Sequence, residues 1–115
     1  MHNIETLKLK GELQVVLNKA DGSVETHDFK NLVVNTGLNF IVSRMKDATA
    51  TAMTHMELGT GTVAAAGADT TLGAAISGSR TALTSTTVSS NTITYVASFA
   101  AGTGTGAVTE AGIFN

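Results

Sequence analysis

Three histidines and nine carboxylates are the groups in this chain with the most chemistry to offer. His55 and Glu57 are two residues apart, so in a strand they share a face. A His/Glu pair on one face can bind a metal ion or exchange a proton. The competing reading is an outward polar pair on a strand whose other face, Met56 and Leu58, points inward, and the alternation favours it. His2 lies at the terminus and His27 stands beside Asp28. The remaining carboxylates (Glu5, Glu12, Asp21, Glu25, Asp28, Asp47, Asp69) are scattered along the chain. Glu110 is the only charge after Arg80; it reads as a solvated edge residue, with an ion pair to Arg80 as the alternative.

Two glycine runs have the look of phosphate loops. Gly102-x-Gly104-x-Gly106 lacks the spacing of a dinucleotide fingerprint, and Gly59-x-Gly61 lacks the Gly-Lys-Ser/Thr ending of a P-loop. Both read as turn glycines. No Gly-x-Ser-x-Gly elbow occurs, and without cysteine there is neither a thiolate metal site nor a cysteine nucleophile. No catalytic residue, metal ligand or cofactor is assigned.

The elements that must carry these residues follow from periodicity. Leu7, Leu9, Leu13, Val15 and Leu17 alternate with Lys8, Lys10, Glu12 and Gln14, which predicts a strand over 7–17 with one face inward. Asp21-Gly22 supplies a hairpin connection, and a second strand returns over 24–34. Asn35 or Thr36 is a candidate cap for a helix over 36–46, with Leu38, Ile41, Val42 and Met45 as its apolar stripe and Arg44 and Lys46 near its C-terminus. A short strand is expected over 54–58, a single helical turn at Asp69–Leu72, Thr-rich strands over 80–88 and 92–100, and a last strand over 107–114. The fold class is mainly β: a single β-sandwich or jelly-roll-like domain over residues 1–115, with the one short helix packed over an end.

Composition narrows the function. A chain of 115 residues holds one modest core. The formal net charge of -2 and a low aromatic content speak against a nucleic-acid platform. No apolar run approaches the roughly 18 residues that span a bilayer, and Met1–Lys10 lacks the apolar centre of a signal peptide. The expectation is a protein made in the cytoplasm, with no nucleic-acid or membrane partner. Six of the seven basic residues precede Asp47, and no charge lies between Arg80 and Glu110. Such a neutral stretch suits a core or a subunit interface. Ile93, Tyr95, Phe99, Ile113 and Phe114 are its candidate interface residues.

Three segments (31–45, 53–61 and 94–115) resemble a family of small structural proteins of tailed-phage virions. The closing Gly102-Thr-Gly-Thr-Gly-Ala-Val-Thr-Glu-Ala-Gly-Ile-Phe-Asn115 is the most specific part. The resemblance implies a non-enzymatic virion protein, homo-oligomeric and bound to other virion proteins. Proteins similar in this way continue past Ile-Phe-Asn with further strands. The expectation is therefore either a short member or a sheet completed by another subunit. Capsid decoration and tail-fibre or baseplate accessory are the two structural roles to separate. A small hydrolase is the third reading, and no convergent polar constellation favours it.

Overall fold

The computed structural model describes residues 8–47 and 49–115. It is mainly β with one short helix. Among the described residues seven strands form three antiparallel sheets that do not close into a barrel.

The first sheet is a hairpin of β1 (Gly11–Asn18) and β2 (Val24–Asn31). Its turn forms as Asp21-Gly22 predicts. Gly22 takes φ 86, and the Asp21 carboxylate accepts the Ser23 N–H at 2.8 Å and its hydroxyl at 2.6 Å. Leu13, Val15 and Leu17 share a face with Phe29, His27 and Glu25 across the pair. Leu7 lies outside the described residues, as does His2.

Helix α1 spans Asn35–Lys46 and carries the expected basic residues in its last turn. Neither Asn35 nor Thr36 caps it. Val34 holds the N-cap position in extended backbone with no side-chain bond, so the helix starts one residue earlier than its cap signal. The Asn35 N–H, left over at the helix start, goes to the Gly67 carbonyl at 2.7 Å. Nor does the helix pack over a sheet. No Cα of α1 lies within 8 Å of a described strand, and Val42 and Met45 are exposed.

The second sheet has the order β4 (Thr81–Ala82), β3 (His55–Gly59), β7 (Glu110–Phe114). Among the described residues its Met56 is the one buried large apolar side chain, and Ser79, just before β4, is the one buried polar side chain. β4 is too short to line all of β3, so the loop after Leu72 continues that edge. The Ile76 N–H donates to the Leu58 carbonyl at 2.9 Å, and Thr60 N–H to the Ala74 carbonyl at 2.9 Å. The Ser79 hydroxyl donates to the Leu58 carbonyl and accepts the Leu58 N–H. The predicted helical turn at Asp69–Leu72 is absent. Asp69 instead closes a turn, its N–H on the Ala66 carbonyl and its carboxylate on the Ala66 N–H.

The third sheet is a hairpin of β5 (Ser85–Ser89) and β6 (Thr92–Val96). The strand expected over 80–88 is thus broken at 83–84, where the Leu83 and Thr84 N–H groups bond to different sheets, one to Thr54 and one to Val96. β6 ends at Val96 and β7 starts at Glu110, both inside the expected strands. The total accessible surface is 8744 Å². A compact monomer of this mass exposes about 5,900 Å². The principal extents of 62 × 30 × 25 Å agree with an open, elongated chain.

Candidate functional site

The β3–β7 register sorts the central sheet into two faces. His55, Glu57 and Gly59 lie opposite Phe114, Gly112 and Glu110 on one; Met56 and Leu58 lie opposite Ile113 and Ala111 on the other. His55 and Glu57 therefore share a face as the spacing predicts, but each has a different partner. The His55 ring Nδ1 is 2.7 Å from the Thr54 hydroxyl. Glu57 receives Arg80 through two contacts, from Nε at 3.2 Å and Nη2 at 3.3 Å. The Arg80 guanidinium also lies over the Phe114 ring, 4.1 Å from its centre.

Arg80 thus pairs with Glu57 and not with Glu110. The sheet register explains the correction. Arg80 precedes β4, whose Thr81 and Ala82 pair with Met56 and His55. That places it near Glu57 and Phe114, and Glu110 lies at the opposite end of β7.

Glu110 has another task, unread in the sequence. Its Oε2 accepts the N–H groups of Gly61 and Ala74, each at 2.7 Å, and its Oε1 accepts that of Gly73 at 2.8 Å. One carboxylate thereby ties β7 to both loops that flank β3. The glycines make the room. A Cβ on Gly61 would sit 2.3 Å from Oε2, and one on Gly59 would sit 2.5 Å from it. These donors hold the Glu110 carboxyl below its ordinary value. The Ala74 N–H has the largest effect, and Gly73 and Gly61 add to it against the opposing effect of desolvation. Both oxygens are occupied by amides, so the group acts as a cross-link.

The glycine loop at 102–106 also serves packing. Gly102, Gly104 and Gly106 all have positive φ. Gly104 lies so close to Leu58 that an added Cβ would be 2.7 Å from Cδ1. The loop lies against Leu58, a contact only a bare backbone makes at that distance. A groove of about 470 Å³ lies between the base of the first hairpin and α1, lined by Leu9, Leu32, Val33 and Leu38 with Lys8, Lys10 and Lys30. Among the described residues, His27, His55, Glu57 and Glu110 do not line it. No group of three or more His, Cys, Asp or Glu side chains is placed to hold a metal among the described residues.

The five candidate interface residues fall into separate places. Ile93 and Tyr95 share one face of the β5–β6 hairpin, with Ile93 49% exposed. Phe99 follows β6 outside regular structure and is part-buried. Ile113 is exposed on the Met56 side of β7, and Phe114 is engaged by Arg80 on the other side. They do not form one patch.

No protein family, curated protein or solved structure matches this chain. Large apolar side chains stand in solvent on every element outside the central sheet: Val16, Leu17, Val24 and Phe29 on the first hairpin, Leu38, Val42 and Met45 on α1, Val88, Ile93 and Val96 on the second hairpin. Exposed apolar area of this kind is in general the mark of a protein or membrane contact or a ligand groove.

Proposed function

We propose that this chain is a non-enzymatic structural subunit of a tailed-phage virion, a capsid decoration protein that binds the assembled shell through its uncharged β-rich half. The observation that carries this reading is the distribution of burial. Met56 is the single large apolar side chain buried among the described residues. An isolated two-stranded hairpin is marginal in water, and two of the three sheets here are such hairpins. A chain of this design gains its remaining stability from neighbours. The β5–β6 hairpin carries no charged residue, so covering it buries no ion. The likeness of segments 31–45, 53–61 and 94–115 to small virion proteins supplies the virion as the setting.

A tail-fibre or baseplate accessory is the second reading. It is favoured by the labels borne by similar virion proteins and by the elongated shape, 62 Å in its long dimension. Quantitative mass spectrometry of purified virions that carry this chain separates the two. Copies on the order of hundreds are expected for a decoration protein, and a handful or a dozen place it in the tail. Its absence from the particles overturns both.

A further inference from the structure

The groove at the base of the first hairpin lies in the other half of the chain from the neutral β5–β6 hairpin. Residues 32–34 alone join β2 to α1, yet no Cα of the helix comes within 8 Å of either strand. The gap between them is the groove, about 470 Å³ in volume. Leu9 lines it from the segment entering β1, Leu32 and Val33 from the connection, and Leu38 from the start of α1. Leu9, Leu32 and Leu38 are 41%, 49% and 40% exposed. Val33 is fixed against the helix, since a Cβ on Gly37 would lie 3.2 Å from its Cγ1.

Lysines rim this apolar lining. Lys10 is met by Glu12 at 3.0 Å. Glu12 also stands across the strand pair from Lys30, but its ion pair is with Lys10. Lys8 and Lys30 have no carboxylate partner among the described residues. No Asp or Glu lines the groove. In a chain with a formal net charge of -2, this is a locally positive surface, complementary to a negative partner.

Three further features narrow the occupant. The leucines keep much of their surface in water, whereas a small-molecule cleft encloses its ligand; a segment of chain laid along the groove needs no enclosure. A bilayer surface is flat and does not reach between two walls. The lining is aliphatic, without the aromatic platform on which nucleic-acid bases stack. Asn31 adds a polar group to the wall. Its side chain occupies the space that a Cβ on Gly11 would take, and it makes no hydrogen bond among the described residues. Its amide offers a donor and an acceptor to a peptide backbone.

We propose that the groove between the hairpin base and α1 docks an acidic, leucine-rich segment of a partner protein. The apolar side chains of that segment seat among Leu9, Leu32, Val33 and Leu38, and its carboxylates meet Lys8 and Lys30. This second surface is separate from the half assigned to the shell, so virion copy number does not bear on it.

Fluorescence anisotropy of a labelled octapeptide of alternating Glu and Leu, titrated with the full chain, tests it. The peptide is expected to bind, and to lose about tenfold in affinity in Lys8→Gln/Lys30→Gln and about threefold when salt rises from about 50 to 300 mM. Both lysines are exposed, so the variant is expected to keep the amide spectrum of the folded chain. Amide shifts on adding the peptide are expected at Leu9, Leu32, Val33 and Leu38. No binding, equal affinity for a Gln/Leu octapeptide, or wild-type affinity in the double variant overturns the proposal. So do shifts confined to the β5–β6 hairpin. Phosphatidylserine vesicles that capture the chain while the Glu/Leu peptide fails to bind give the lysines to a lipid surface and overturn it as well.

Discussion

Glu110→Ala is expected to lower the free energy of unfolding by about 3 kcal/mol, read as a shift of the urea midpoint. Charge-assisted bonds from amides to a carboxylate are about twice as strong as neutral ones, and this carboxylate holds three. Solvent at the site lets the released amides recover water, which keeps the cost well below the sum of three buried bonds. The loss is expected to be local to the central sheet, because β7 and the loops at 59–61 and 73–74 separate when the cross-link goes. Acid reproduces the effect in the unchanged protein. The folded carboxyl titrates below its ordinary value. Its contribution is therefore complete above the unfolded value, near 4.3, and disappears as pH falls through the lower folded one. Glu110→Gln removes that part of the pH dependence and keeps part of the stability, since its amide oxygen can still accept two of the three donors. A pH profile of the urea midpoint that is the same in wild type and Glu110→Gln excludes the cross-link.

Gly61→Ala comes next in size. Its Cβ would lie 2.3 Å from Oε2 and 2.7 Å from the carboxylate carbon, so the Glu110 side chain has to leave. Gly61 is not among the residues with positive φ, and an alanine backbone is unstrained there. The expected loss is about 2 to 3 kcal/mol in the wild-type background and well under 1 kcal/mol in Glu110→Ala, because the group being displaced is already gone. Equal losses in both backgrounds mean that Gly61 acts through something other than Glu110. The cycle separates crowding from a simple backbone effect of glycine.

Much of this fold was legible in the chain. The alternation from Leu13 to Leu17, the Asp21-Gly22 turn and the Leu38–Met45 stripe each report a local preference, and local preferences are what a single sequence displays best. The inward Met56 and Leu58 followed from the same alternation. The strand ends were less legible. A Thr-rich run is equally content in a strand or in extended loop, so neither the break at 83–84 nor the end of β6 at Val96 left a mark. The Glu110 cross-link depends on amides 36 to 49 residues away in sequence. Its only local trace was a lone acid in a neutral stretch, together with glycines at 59 and 61 that read as turns. Charge alone does not rank Glu57 against Glu110 as the acid for Arg80; the register of β4 on β3 does. The exposed face of the first hairpin was not legible, since its apolar alternation marks a covered face, whereas the neutral composition of the second hairpin left both core and interface open.

Amide hydrogen exchange followed as a function of protein concentration tests most directly whether other protein completes this fold. The strand amides of β3 and β7 are expected to be protected in dilute and concentrated solution alike. Those of Leu13–Leu17 and Thr86–Tyr95 are expected to exchange freely when dilute and to gain protection as the chain assembles. Hairpin amides as protected in a dilute monomer as those of the central sheet would contradict it.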